Sequence, residues 1–179
     1  MFKLVTIEDT VRVPPDKFGE PLEKAVEEIL RKTYIGVADK DVGIVLAITK
    51  IESIGEGRII MGDGASYHNV VFEALVFKPE NNEVLLGEVV EITDFGAFVR
   101  IGPVDGLVHI SQVMDDYVSF DRKKGVLIGR DKKQILKVGD HVRVRVVGIA
   151  SKGEKSGRIA LTMRQPGLGK LEWLKEGES

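Results

Sequence analysis

The chain has 179 residues, of which 43% are hydrophobic, and this is enough apolar material for one domain or two small ones. It contains no cysteine, which excludes disulfide frameworks, thiolate zinc sites and cysteine nucleophiles. The net charge of −2 is not that of a general nucleic-acid binder. No apolar run approaches the roughly 18 residues of a membrane span, and Glu8 and Asp9 follow the first residues where a secretory segment would be apolar, so we expect a cytoplasmic protein.

The first half of the chain predicts one helix and a small sheet. An extended segment at residues 3–13 stops at two prolines, and a helix follows with Pro21 in its first turn. One helix against a small antiparallel sheet is an α+β sandwich. The apolar face of the helix comprises Leu22, Ala25, Val26, Ile29 and Leu30, and the later strand-like runs are residues 42–51, 58–61 and 70–77.

A polar, turn-prone stretch at residues 78–82 marks the predicted boundary between a first domain of residues 1–80 and a second of residues 81–179. The second domain consists of short β segments separated by Gly and Asp. Five strands in so short a stretch predict a small barrel, with the all-β five-stranded OB-fold as the leading candidate. The segments are residues 83–92, 96–101, 106–110, 141–149 and 158–163.

Charge is unevenly distributed along the chain. Residues 1–80 hold 10 Lys/Arg and 14 Asp/Glu, whereas residues 122–164 hold 13 basic and 3 acidic residues. The second half can therefore offer a basic surface to a phosphate backbone despite the nearly neutral total. A solvated, lysine-rich loop would give the same count, so charge alone leaves both interpretations open.

Two phenylalanines three residues apart, Phe95 and Phe98, break the alternation of a regular strand. If one strand ends near Thr93 and the next begins at Gly96, both rings reach the same outer surface, because glycine permits the bend between them. Two exposed rings beside basic residues make a base-stacking platform, in which each stacked base contributes roughly 1–3 kcal/mol. The alternative is that one or both rings fill the barrel core.

Four motifs follow one another in the second domain. They are GEVVEITDFGAFV at 87–99, GLVHIS at 106–111, VGDHVRVRV at 138–146 and RIALT at 158–162. In these motifs the second domain resembles an S1 RNA-binding domain. The resemblance implies that Phe95, Phe98 and His109 face RNA, and the predicted RNA-binding set also includes Arg100, Arg143, Arg145 and Arg158. The sequence departs from the usual S1 pattern in a longer connection at residues 114–137 and in Ala150, which stands where many S1 domains have an acidic residue.

Further motifs lie on both sides of the predicted domain boundary. They are VRVPP at 11–15, IESIGEG at 51–57, GDG at 62–64 and MRQPGLG at 163–169. With these motifs, nearly the whole chain is similar to the E-prime family of archaeal RNA polymerase subunits, counterparts of the eukaryotic stalk subunit. The resemblance implies an RNP-like first domain, docking on the RNA polymerase core subunits, and a heterodimer with the smaller, mostly helical F subunit of RNA polymerase, which we call the helical stalk partner. It also implies a contribution to open-complex formation and binding of the emerging single-stranded RNA transcript, without catalysis.

Two glycine-flanked loops belong to the predicted docking surface of the first domain. Glycine lets the backbone approach another surface closely, and by the resemblance these loops form the tip that docks on the polymerase core. Ordinary hairpin turns are the alternative. The first domain is acidic and lacks an aromatic-rich strand, so we expect it to bind protein rather than RNA. The predicted docking residues are Gly55, Glu56, Gly57, Gly62, Asp63 and Gly64.

The sequence shows none of the usual catalytic patterns. Its three histidines are not at metal-ligand spacing, and it has neither a Gly-x-Ser-x-Gly motif nor a Walker loop. We therefore expect no catalytic residue, metal or cofactor. Two alternatives remain: a free-standing S1-domain RNA-binding factor of translation or RNA decay, which would not explain the first domain, and a purely structural adaptor.

Overall fold

The computed structural model describes residues 1–150 and 159–177 of the chain. The chain divides into two compact units, Met1–Lys78 and Pro79–Ser179, and each unit has its own hydrophobic core. Among the described residues, no helix is long and apolar enough to cross a membrane. Arg158, which belongs to the predicted RNA-binding set, lies outside the described residues.

The first unit consists of a long helix and a sheet whose strands all pair antiparallel. Its elements are β1 (Phe2–Val13), α1 (Leu22–Tyr34), β2 (Ala38–Asp39), β3 (Gly43–Ile54), β4 (Arg58–Ile59) and β5 (Ser66–Phe77). The strand order is β1-β5-β3-β2, and β4 pairs with β5. This is the α+β arrangement that the sequence predicts.

Helix α1 covers the sheet with most of the apolar face that its spacing predicts, but Leu22 in its first turn is exposed and does not belong to the core. Ala25, Val26 and Leu30 are fully buried in the same core as the sheet residue Phe72, and a buried side chain of the size of leucine contributes roughly 1.5–3 kcal/mol. The helix ends at Tyr34, and Gly36 follows with a φ of +85°, a left-handed conformation typical of helix ends.

The second unit is built on a closed barrel of five of its described strands. The strands are β6 (Val84–Thr93), β7 (Gly96–Ile101), β8 (Val104–His109), β12 (His141–Ile149) and β13 (Ile159–Thr162). Neighbouring strands follow the order β13-β8-β7-β6-β12, and β12 pairs with β13 to close the barrel. The pairing of β8 with β13 is parallel, whereas the others are antiparallel. The OB-fold expected from the sequence is confirmed.

The long connection between β8 and β12 carries further strands that were not predicted from the sequence. After a short 3₁₀ turn at Ile110–Gln112, the chain forms β9 (Val118–Asp121), β10 (Val126–Gly129) and β11 (Ile135–Leu136). These strands pair in the order β11-β10-β9, and we call them the insertion sheet. Its buried residues Leu127 and Leu136 belong to the barrel core, so the insertion is an integral part of the second unit.

The C-terminal segment returns to the barrel through β14 (Gly169–Lys170), which pairs with β12, and α2 (Leu171–Glu176). Trp173 of α2 packs against the barrel core of the second unit. Lys170 is buried beside Asp140, with 3.2 Å between Nζ and Oδ2. Burial lowers the pKa of Lys170, but its ion pairs with Asp140 and Glu172 outweigh burial and raise the pKa overall.

Candidate functional site

Phe95 and Phe98 lie together on the outside of the barrel. β6 ends at Thr93 and β7 begins at Gly96, so Phe95 occupies the turn between the strands and Phe98 the second strand. The two rings meet edge to face, with centroids 6.0 Å apart and planes at 88°. Phe95 is 47% exposed, Phe98 is half-buried, and neither belongs to the barrel core cluster. The bend expected at Gly96 therefore brings both rings to one surface.

Gly96 is required by a close approach of two strands. It has a φ of +152°, and a Cβ at this position would lie 2.1 Å from the carbonyl oxygen of Val108 on β8. β7 and β8 pair with Gly96 opposite His109. The glycine thus places the imidazole of His109 on the strand beside the two phenyl rings.

The imidazole of His109 is exposed and held in one orientation by the residues that follow it. The backbone N–H of Ser111 donates to Nδ1 at 3.2 Å, and the Ser111 hydroxyl lies 2.9 Å from the same nitrogen. Since Nδ1 accepts a hydrogen bond, the proton of the neutral ring lies on Nε2. A donor N–H is therefore available beside the aromatic pair, and we call Phe95, Phe98 and His109 the aromatic surface.

The arginines predicted to bind RNA are placed less favourably for that role than the aromatic residues, because each bonds to another part of the chain. Arg100 lies two positions beyond Phe98 on β7, where its Nε donates to Asp105 at 3.1 Å. Arg143 and Arg145 lie on β12 and point toward the segment after β13, where they donate to the Gly167 carbonyl and the Gln165 side chain. Arg145 pairs with Thr162 on β13, the strand next to that of His109. The structure therefore groups Phe95, Phe98 and His109 and ties the three arginines to other partners.

Arg164 lies closer to the aromatic surface by its contacts, and it was not predicted from the sequence. Its guanidinium donates to the Ser111 carbonyl at 3.4 Å and to Asp115 at 3.1 Å. Ser111 is the residue that orients His109. The sequence indicated only that Arg164 belongs to the basic stretch of residues 122–164. Its contact with Ser111 joins positions 53 residues apart, so no local pattern could reveal it.

The predicted docking residues of the first unit gather at one end of its sheet. β5 begins at Ser66, and around this point it pairs with the end of β1, with β4 and with the end of β3. The loop before β4 contains Gly55, Glu56 and Gly57, and the loop after it contains Gly62, Asp63 and Gly64. We call residues 55–64 the glycine-rich end.

A buried histidine supports the first of these loops. The ring of His68 lies 2.9 Å from the Gly55 carbonyl through Nδ1 and 2.8 Å from the Ser66 hydroxyl through Nε2. Because a carbonyl can only accept, the ring proton lies on Nδ1 and Nε2 accepts from the hydroxyl. A Cβ on Gly57 would lie 2.9 Å from this ring, so the histidine and the glycine fit only as a pair.

Asp63 fixes the second loop. Its carboxylate accepts two hydrogen bonds from Arg12, at 2.9 and 3.0 Å, and a third from the Tyr67 hydroxyl at 2.5 Å. These bonds, the Arg12 pair first, hold the pKa of the Asp63 carboxyl well below its usual range. Asp63 is therefore a clamp between the loop and the ends of β1 and β5.

The residues between the two loops form an exposed apolar projection, although the sequence pattern predicted a strand there. The strand β4 stops at Ile59, so Ile60 and Met61 belong to the turn after it. Ile59 is 76% exposed, Ile60 53% and Met61 100%. Three consecutive exposed apolar side chains on a clamped loop are typical of a surface that contacts protein.

The acidic pair at Asp115 and Asp116 has structural roles. Asp115 pairs with Arg164, and Asp116 accepts hydrogen bonds from the backbone N–H groups of Asp131 and Lys132, both at 2.9 Å. In the part of the chain that the structure describes, no group of three or more His, Cys, Asp or Glu side chains could hold a metal ion.

Two family models match the chain, one for each unit. Residues 8–64 match the model described as "SHS2 domain found in N terminus of Rpb7p/Rpc25p/MJ0397". Residues 78–164 match the S1 RNA binding domain. The first match contains the glycine-rich end, and the second contains the aromatic surface and the insertion sheet.

The chain is similar over almost its full length to polymerase subunits. It is 46% identical to the DNA-directed RNA polymerase subunit Rpo7 of Sulfolobus acidocaldarius over 98% of this chain and 96% of that one. The identity to Rpo7 of Saccharolobus shibatae is 44%, over 99% of both chains. Among solved structures, the apo form of Mycoplasma genitalium RNase R matches 45% of this chain and 13% of its own, with 29% identity and a TM-score of 0.40.

Proposed function

Because the chain belongs to the Rpo7 family of DNA-directed RNA polymerase subunits, we propose that it docks on the polymerase core, pairs with the helical stalk partner and guides emerging RNA. The subunit is non-catalytic, and it carries an S1 RNA-binding domain in its second unit. Its work is therefore to bind and to position. Each of its two units supplies a surface suited to one part of this work.

The observation that carries the RNA-binding proposal is the aromatic surface. The exposed ring of Phe95, the half-buried ring of Phe98 and the exposed imidazole of His109 lie on one surface, and every base has a face that can stack on such rings. His109 adds a hydrogen-bond donor, and Arg164 adds a cation nearby. We expect modest affinity and little sequence preference, because stacking and phosphate contacts accept any base.

The glycine-rich end suits a protein partner. Met61 and Ile59 offer apolar contacts, while the clamp of Arg12 and Tyr67 on Asp63 holds the loop in one conformation before binding. A loop ordered in advance loses less conformational entropy on association. We therefore assign residues 55–64 to docking on the polymerase core. Pairing with the helical stalk partner and the contribution to open-complex formation are carried over from the family, and the cytoplasmic location is carried over from the sequence analysis.

The experiment that tests the proposal is affinity purification of the tagged full chain from its own cells, with quantitation of the proteins recovered. Equal amounts of a small partner subunit and the large polymerase subunits are the expected result. Recovery with ribosomal or RNA-decay proteins and without polymerase would overturn it in favour of a free-standing S1 factor. If the chain is recovered with polymerase but the purified subunit does not bind RNA, the result would favour the alternative of a purely structural adaptor.

A further inference from the structure

A second exposed aromatic side chain lies where the insertion sheet begins. Tyr117 is 69% exposed, and the guanidinium of Arg130 lies over its ring, 5.5 Å from the centroid. The backbone N–H of Arg130 also donates to the Tyr117 carbonyl at 2.8 Å. The arginine covers one side of the ring, and the high exposure of Tyr117 leaves ring surface accessible to another flat group.

The insertion sheet is strongly basic. Residues 117–138 contain seven Lys/Arg and two Asp, and all seven basic residues are exposed. Both aspartates have partners within the sheet. Asp131 forms an ion pair with Arg130 at 3.5 Å, and Asp121 accepts hydrogen bonds from the backbone N–H groups of its own turn. The basic residues are Arg122, Lys123, Lys124, Arg130, Lys132, Lys133 and Lys137.

The two turns of this sheet lie at opposite ends, and only one is beside Tyr117. In the antiparallel pair of β9 and β10, Gly129 lies opposite Val118, so the turn after β10 adjoins the start of β9. Asp116 fixes that turn through the backbone of Asp131 and Lys132. Gly129 permits the approach, because a Cβ there would lie 2.7 Å from the Asp116 carboxylate. The turn that contains Arg130, Lys132 and Lys133 is thereby held beside the start of β9, which Tyr117 directly precedes.

Tyr117 is connected to the aromatic surface by a series of contacts. Ser111 orients His109, Arg164 bonds both Ser111 and Asp115, and Asp115 and Asp116 directly precede Tyr117. All of these residues belong to the same compact unit. A strand of RNA that leaves the aromatic surface along this segment would next meet Tyr117.

We propose that Tyr117, Arg130, Lys132 and Lys133 form a second contact for single-stranded RNA, separate from the aromatic surface. A base stacks on the accessible side of the Tyr117 ring, and the cations of the turn contact the neighbouring phosphates. The inference rests on the proposed RNA-binding function and extends it. A purely acidic partner would use the cations, but it would give no use to the aromatic ring.

The test compares two RNA lengths on the full chain. We would measure the affinity of labelled oligouridines of about 6 and about 24 nucleotides, since an OB-fold alone covers roughly 4–16 nucleotides. Tyr117→Ala should weaken the longer RNA about fivefold or more and leave the shorter one unchanged, and Tyr117→Phe should restore binding. Because Tyr117 is exposed, the alanine variant should fold.

The salt dependence supplies an independent readout with a matched control. The double variant Lys132→Ala/Lys133→Ala should reduce the slope of log affinity against log salt by about 1.4 for the longer RNA, since each single-strand phosphate contact contributes about 0.7. The control variant Lys123→Ala/Lys124→Ala removes the same charge from the opposite turn and should leave the slope nearly unchanged.

The outcomes separate this inference from the proposed function. Wild-type affinities for both RNAs in the Tyr117→Ala and Lys132→Ala/Lys133→Ala variants would overturn the second contact and leave the aromatic surface in place. An equal loss in the control variant would reduce the effect to general electrostatic attraction and also overturn it. Failure of the unmodified chain to bind either RNA would overturn the proposed RNA function and this inference together.

Discussion

The ring of Phe95 meets the ring of Phe98 edge to face, although the two residues come from a turn and a strand. Their contact depends on the bend at Gly96, and it creates an accessible apolar surface on the outside of the barrel. RNA affinity should therefore depend on the two rings, and the stability of the barrel should depend on the glycine behind them.

Phe95→Ala combined with Phe98→Ala should weaken binding of single-stranded RNA and leave the barrel folded. Each lost stacked base removes roughly 1–3 kcal/mol of binding free energy, and neither ring belongs to the core cluster. Fluorescence anisotropy with a labelled oligonucleotide measures the affinity, and thermal unfolding checks the fold. Phe18→Ala, at an exposed phenylalanine of the first unit, is the control. Unchanged RNA affinity in the folded double variant would remove the rings from the RNA site.

Gly96→Ala should destabilise the second unit by roughly 1–3 kcal/mol. The new Cβ would lie 2.1 Å from the Val108 carbonyl oxygen, and the φ of +152° is unfavourable for any L side chain. Gly148→Ala is the matched control, because its Cβ would come no closer than 3.8 Å to its neighbours. Equal melting temperatures of the two variants would show that β7 and β8 can move apart at little cost.

Met61→Asp should loosen docking on the polymerase core and leave pairing with the helical stalk partner intact. The side chain is fully exposed in the free subunit, so the change should not affect folding, but docking would bury its charge. Co-purification with the core subunits measures the effect. Val37→Asp changes another exposed apolar residue, next to β2 at the other end of the sheet, and should dock normally. Tight docking of the Met61 variant would rule out the glycine-rich end as the contact.

Substitution of Gly62 or Gly64 by valine should also weaken docking on the polymerase core, in this case by changing the conformation of the loop. Gly62 has a φ of +88°, which a β-branched residue adopts at a cost, whereas a Cβ on Gly64 would make only an ordinary contact with Pro15 at 3.5 Å, so we expect the larger effect at Gly62. The loop would move away from the clamp at Asp63, and we expect weaker recovery of the polymerase core with normal recovery of the helical stalk partner. Normal recovery of both would show that the position of this loop is unimportant.

The Tyr34→Phe variant should lose less stability than the unmodified chain as the pH rises into the alkaline range. Burial, together with the hydrogen bond to Asp9, raises the pKa of Tyr34 to about 12. A raised pKa means that this stabilisation is complete below the unfolded-state value near 10 and is lost as the pH rises through about 12. Urea unfolding followed by circular dichroism between these values should show a smaller decline in the variant, whose ring still packs on Phe72. An identical decline would assign the pH dependence to other groups.

The sequence predicted the elements whose pattern is local. The apolar spacing of α1 and the strand-like runs of β1, β3 and β5 each specify one buried face, and the glycine between two phenylalanines indicated the bend at Gly96. The insertion sheet was missed because its apolar runs are very short and the turn between β10 and β11 depends on Asp116, whose partners lie 15 and 16 residues away. The contacts of Arg164 with Ser111 and of Arg12 with Asp63 likewise join distant positions, which no local pattern indicates.

The position of Trp173 makes the second unit optically distinct. It is the only tryptophan of the chain, and its indole ring packs against the barrel core. Excitation at the long-wavelength edge of protein absorbance excites tryptophan selectively, so the fluorescence reports on the barrel. The first unit gives no such signal, because its aromatic residues are phenylalanines and two tyrosines. The natural protein thus contains its own fluorophore, and the folding of the RNA-binding half can be followed inside an assembled stalk of tryptophan-free partners without any label.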